Sequence, residues 1–250
     1  MTDLVASELL KLRTTRTFFG LVGAALGLIL LITVLTASLV PFDPGDTPFI
    51  DLIAVSPLAG IFALVLGILA ISTEFRHGTV TPSLLTVPNR TRWAVSKLIA
   101  NGVAGLLLGL AAALIPALLI LLIFAVRGVD SSADAGDVVN VVLGSAVGAG
   151  LFAALGVGLG ALIRNQAGAI VAALVWLFFL EGVLGVIPGL DEVIPKYGPA
   201  AAWSAVSSID AADDQLGQLS AGLVLAVYAL LFLAAGIAML QRRDVAANSS

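Results

Sequence analysis

The sequence predicts an all-α, polytopic membrane protein with six transmembrane helices. Three observations carry that expectation. Hydrophobic residues make up 60% of the 250 residues and charged residues 11%, with a mean hydropathy of +1.11, too little charge for a water-soluble domain. Charge-free stretches run over 17–42, 52–73, 98–126, 138–163 and 215–241, and a sixth, 165–190, is interrupted only by Glu181. Each exceeds the ~20 residues that carry a helix across ~30 Å of hydrocarbon. No stretch alternates polar and apolar residues as a membrane β-barrel does.

The chain therefore reads as one transmembrane domain, 1–250, with helices at about 18–40, 52–73, 98–126, 139–163, 166–187 and 216–240. Its direction follows from Lys and Arg. Lys11, Arg13, Arg16, Arg76, Arg90, Arg92, Lys97, Arg164, Arg242 and Arg243 fall on one side, ten of the twelve basic residues. The other side holds only Arg127 and Lys196, against eleven acids: Asp43, Asp46, Asp51, Asp130, Asp134, Asp137, Asp191, Glu192, Asp210, Asp213 and Asp214. The positive-inside rule puts both termini in the cytoplasm.

Residues 4–16 can form a helix with Leu4, Val5, Leu9 and Leu12 in one ~140° arc, suited to lying in the membrane interface, though Glu8 intrudes on it. The alternative is a cytoplasmic extension of the first span. That span is longer than the 7–15 residues of a signal h-region and follows Asp3 and Glu8, so it is expected to stay in the membrane. After the second span comes a polar connection, 74–97, with Glu74, Arg76, the lone His77, Arg90, Arg92 and Lys97. Gly78 permits a tight helix exit, and Thr79 or Thr81 can cap a short helix with Pro82 in its first turn. That helix offers Leu84, Leu85 and Val87 as an apolar knob. The third span contains Pro116, a kink position. In the fourth, Gly144, Gly148, Gly156 and Gly160 share a stripe with Phe152, and shorter stripes occur at Gly23 and Gly27 and at Gly105 and Gly109. Such stripes serve close packing within a subunit or a seam between subunits. The fifth span carries Glu181, five residues after Trp176. Glu181 has two readings: a cargo contact or gate, or a structural carboxylate capping a re-entrant segment, 188–213, within the outer loop 188–214. Asp210, Asp213 and Asp214 read as an N-terminal cap for the sixth span.

Chemistry is hard to place. There is no cysteine, one histidine and no H-E-x-x-H, which leaves no metal centre and no thiol catalysis. His77 has no intramembrane serine partner and reads as a surface residue. With one carboxylate inside a span and no matching broken helices, ion-coupled transport finds little support. No phosphate loop exists and no segment is long enough to fold as an ATPase. The chain is expected not to be an enzyme and to hold no cofactor.

Three segments resemble a known family. "SELLKLRTTRTFF" is similar to the opening of permease subunits of ABC type-2 exporters, particularly actinobacterial ones, at Ser7, Glu8, Lys11, Leu12, Arg13, Thr14, Arg16 and Thr17. "TEFRHGTVTPSLLTVPNRTRWAVSKL" matches that family's segment after helix 2 at Glu74, Phe75, Arg76, Gly78, Thr79, Pro88, Arg90 and Lys97. A third match is Trp176 with Glu181, followed by "KYGPAAAWSAV". The resemblance implies an N-terminal elbow helix (1–17) with Glu8, Lys11, Arg13 and Arg16, and a coupling loop (74–97). There Glu74, Phe75, Arg76, Gly78, Thr79, Leu84, Leu85, Val87, Arg90 and Arg92 would contact a separate ABC ATPase that binds ATP and Mg. Glu74 is expected to pair with Arg13 or Arg16. Trp176 and Glu181 would lie on a substrate path or gate. Two permease chains would pair in the bacterial cell membrane around a path for an amphipathic or lipophilic, antibiotic-like cargo, with no nucleic acid involved. An ion-coupled secondary transporter and a non-transporting scaffold or immunity subunit are the alternatives.

Overall fold

The computed structural model describes residues 1–42, 48–129, 132–207 and 216–242. Among them all regular structure is helical, and six helical segments are long and apolar enough to span a membrane. The chain is a multi-pass membrane protein of the all-α class.

Helix α1 (Thr2–Thr14) is separated from α2 (Arg16–Leu39) by Thr15, whose backbone is extended at φ −93°, ψ 122°. That residue breaks the helical ladder, so α1 is a distinct element and not an extension of the first span. Leu4, Val5, Leu9 and Leu12 are half-buried, and Glu8 is the buried residue of the helix.

The second span is composite. Helix α3 (Pro48–Ile53) and α4 (Ala59–Arg76) are joined by a single 3-10 turn, Ser56–Leu58. Pro57 has no N–H to donate and crowds the residue before it, which interrupts the ladder. Next come α5 (Val80–Thr86) and the 38-residue α6 (Arg90–Arg127). The loop expected over 74–97 is thus mostly helix: the end of α4, all of α5 and two turns of α6. Charge-free length marks only the part of a helix that lies in lipid, whereas Asn89 starts α6 by accepting the Arg92 N–H at 3.0 Å. Helix α6 passes through Pro116 and stops at Gly128, which takes the left-handed conformation.

Helix α7 (Ala135–Ile163) starts at Asp134, whose Oδ1 accepts the Gly136 N–H at 2.7 Å. Its most apolar stretch is 72% buried, against 17% in the first and fifth spans, which places α7 at the centre. Close approach explains how. A Cβ on Gly67 of α4 would run into the carbonyl oxygen of Ala153, and one on Gly156 of α7 into that of Leu64. Gly105 and Gly109 of α6 meet the Ala149 and Ser145 carbonyls in the same way. The Gly23–Gly27 stripe differs, since nothing lies within 4 Å of either position.

The fifth span joins α8 (Gln166–Val175), a π turn at Trp176–Leu180 and α9 (Glu181–Leu184). Beyond it, α10 (Ile194–Tyr197) leads to α11 (Pro199–Ser207), which packs on α7 and on α12 (Gln218–Arg242). The segment expected as an outer loop therefore contributes to the core. Ala202, Ala205 and Val206 join Phe152, Leu225 and Ala229 there, and the Trp203 ring lies 5.1 Å from that of Phe152. Asp210, Asp213, Asp214 and Arg243 lie outside the described residues.

The α4–α7 contact leaves no room for a side chain. Gly156→Val should lower the unfolding temperature of the detergent-purified protein, at a cost of about 1–3 kcal/mol. Gly27→Val, into open space, should leave it within about 0.5 kcal/mol of the parent.

Candidate functional site

At the end of the bundle rich in basic residues, three helices meet through four charged side chains. Lys97 lies two turns into α6, and its side chain is 1% exposed. Its Nζ donates to Glu8 Oε2 of α1 at 2.8 Å and to Glu74 Oε1 of α4 at 2.5 Å. Lys11 closes the ring, 2.7 Å from Glu8 Oε1 and 3.3 Å from Glu74 Oε1. Acid and base alternate, so each charge has two neighbours of opposite sign. The Lys97 ammonium also sits 5.2 Å from the centre of the Trp93 ring.

Burial pushes the Glu8 carboxyl up, but Lys97 and Lys11 pull harder and hold it below its ordinary 4.5. For Lys11 burial pushes down, and Glu8 and Glu74 more than offset it, holding the ammonium above its ordinary 10.5. The pairing corrects the expected one. Arg13 and Arg16 stay exposed, and Glu74 pairs with Lys11 and Lys97. Lys11 stands three residues after Glu8, on the same face of α1, whereas Arg13 points elsewhere and Arg16 lies past the break at Thr15.

Below the ring the chain turns sharply. Gly78 has φ +66°, the Thr79 N–H donates to the Glu74 carbonyl at 2.9 Å and the Gly78 N–H to that of Phe75 at 3.3 Å. These paired bonds satisfy two carbonyls at the end of α4 and require a left-handed residue between them. Leu84 of α5 and Val87, just past its end, are half-buried and pack against the cluster of Ile71, Trp93 and Leu240. Leu85 alone of the expected knob projects, at 79% exposure. Seven residues make two faces, and the bundle occupies one.

The arginines divide similarly. Arg76 Nη1 donates to Gln166 Oε1 of α8 at 3.2 Å. Arg90, expected to face a partner, turns inward: its Nη1 donates to the Leu240 carbonyl. Arg164 Nη2 donates to that of Met239 at 2.9 Å, and its guanidinium lies 5.1 Å from the Phe75 ring. Both serve carbonyls in the last turn of α12, which lack intrahelical partners. Arg92 remains exposed.

Glu181 stands apart from this group, in the fifth span. Its Oε1 accepts from Trp176 Nε1 at 2.8 Å and from the Ala200 N–H at 2.7 Å, and Oε2 from the Ala201 N–H at 3.1 Å. The carboxylate caps the N-terminus of α11, where free N–H groups favour negative charge. The π turn brings Trp176 and Glu181 side by side across five residues. These three contacts tie the fifth span to the start of α11. Among the described residues no three His, Cys, Asp or Glu converge as metal ligands.

No protein-family model matches the chain, and no curated protein matches it. The likeness to exporter permeases rests on sequence motifs, of which the structure gathers Glu8, Lys11, Glu74 and Lys97 at one point. Lys97, the centre of the ring, was legible only as a motif position. Its burial follows once Pro88-Asn89 is taken as a helix start, which puts Lys97 on the face shared with Ala94, Asn101, Ala104 and Leu108.

Lys97→Met leaves two buried carboxylates short of their shared partner and should destabilise the protein by about 3–5 kcal/mol in thermal or denaturant unfolding. With its folded-state value lowered, Glu8 contributes stability present above 4.5 that is lost as pH falls through the lower value. Lys11 contributes below 10.5 and loses it as pH rises through its raised value. Unfolding measured against pH should show both limbs, and Glu8→Gln should flatten the acid one.

Proposed function

We propose that this chain is the transmembrane permease subunit of an ATP-driven ABC-type exporter, working with a separate ATPase subunit that binds ATP and Mg. The observation that carries this reading is α5. It is a short helix outside the spans, with its inner face packed on the bundle and one large apolar side chain, Leu85, left projecting. Because the other face of α5 is packed on the bundle, Leu85 is offered outward as an apolar knob for a pocket on a partner.

The ring supplies the mechanical half. A push on α5 reaches α4 through the Gly78 turn and α6 through Pro88 and Asn89. The ring then joins both helices to α1, so the three move together. By the positive-inside rule this end, with both termini, faces the cytoplasm, where an ATPase has access, and the resemblance to actinobacterial permeases makes the membrane that of a bacterial cell. Two permease chains pair in the bilayer, each with an ATPase docked below, and ATP-driven closure opens a path outward. The cargo is amphipathic or lipophilic, because the spans carry few charges. This chain itself performs no bond chemistry.

Leu85→Asp should abolish co-purification with a co-expressed phosphate-loop ATPase from the adjoining reading frame, while the unfolding temperature of the permease stays unchanged. Leu84→Asp should instead lower that temperature. An intact complex with Leu85→Asp overturns the docking role.

A further inference from the structure

A second feature of the basic end is independent of the exporter reading. Between α1, α4, α6 and the start of α8 lies a cavity of about 260 Å³. Glu8, Lys11, Glu74 and Lys97 border it, but the ring does not use all its polar atoms. Glu74 Oε2 and Asn101 Oδ1 are buried without a hydrogen-bond partner. The Asn101 amide is oriented by its own Nδ2, which donates to the Lys97 carbonyl at 2.9 Å, leaving the oxygen unserved. Two buried acceptors, one on a carboxylate, are costly unless a donor reaches them.

The rest of the lining narrows the donor. Leu12, Phe18, Leu66 and Leu69 give the cavity apolar walls, and Arg76 and His77 stand exposed at its rim. Its level is fixed by the chain: Phe18 opens the first span, Thr73 and Glu74 close the second, and Gln166 opens the fifth. That is the border between hydrocarbon and head groups. The volume is below the ~300–1,000 Å³ of pockets for drug-sized ligands, so it suits a head group rather than a whole cargo molecule. The acceptors ask for an N–H-bearing cation, while the Arg76 guanidinium at the rim favours an anion.

We propose that this cavity binds the head group of an aminophospholipid, with its ammonium donating to Glu74 Oε2 and Asn101 Oδ1 and its phosphate held at Arg76. A choline head group lacks the N–H donors, and a glycerol head group lacks the positive charge. The bound lipid would complete the polar surroundings of the ring and hold α1 against the bundle.

The test uses the full chain in detergent micelles, with dioleoyl phosphatidylethanolamine, phosphatidylcholine or phosphatidylglycerol added at equal molar ratio. The ethanolamine lipid should raise the unfolding temperature by about 4 °C, the shift expected near tenfold excess over Kd, and the other two by less than about 1 °C. Asn101→Leu, which leaves the four ring residues in place, should lose that selective shift. Arg76→Ala, at an exposed side chain, should reduce it if the first variant does not fold. Equal stabilisation by the ethanolamine and choline lipids would mean general solvation by lipid and would overturn the site. So would a full ethanolamine shift in both variants.

Discussion

Helices inside hydrocarbon gain little by burying apolar surface against one another, so this bundle depends on how closely neighbouring backbones can approach α7. Glycine and alanine make that possible. Gly67, Gly105 and Gly109 on the neighbours and Gly156 on α7 bring main chains together at carbonyl oxygens. The gain is dispersion between tightly fitted surfaces, many small contacts that vanish together if one helix is held off. The peripheral first and fifth spans need no such fit and carry their large side chains outward, as Leu31, Phe178 and Phe179 show.

At the basic end a different force fixes positions. Burying an ion pair usually costs about as much as it returns, so the ring is weak evidence for stability and stronger evidence for register. Lys97 accepts only an arrangement in which α1 and α4 both bring an acid to it. Arginine provides a second device. Arg90 and Arg164 bond the last carbonyls of α12, and Arg127 bonds those of Ala37 and Val40 at the end of α2. Residues that composition marks as topological signals thus also close helix C-termini, where positive charge is favoured.

The six spans were legible in the sequence because charge is costly in lipid and each span is longer than any soluble alternative. The short helix 80–86 and the turn at Gly78 were legible too, since a left-handed exit followed by proline leaves few options. What escaped was anything decided by a face rather than by composition. Charge-free length starts the third span at 98, whereas α6 begins at Arg90, because charged residues in its first turns look like loop. Lys97 therefore looks like a loop residue, and Glu74, which pairs with it and with Lys11, looks free to meet Arg13 or Arg16. Glu8 looked like a flaw in an apolar arc, and only a partner on another helix explains it. The inward turn of Leu84, Val87 and Arg90 is likewise a tertiary fact. Helix α11 escaped for a related reason: its alanines are too short a run to suggest a core element until α7 and α12 supply the other walls.

The ring has an electrical consequence. Two lysines and two glutamates sum to zero formal charge, although each is a full charge on its own. Moving one elementary charge across a membrane potential takes about 2.3 kcal/mol per 100 mV. A neutral quartet that shifts as a unit along the bilayer normal does almost no work against that potential. The quartet itself therefore adds no net charge for a membrane potential to act on.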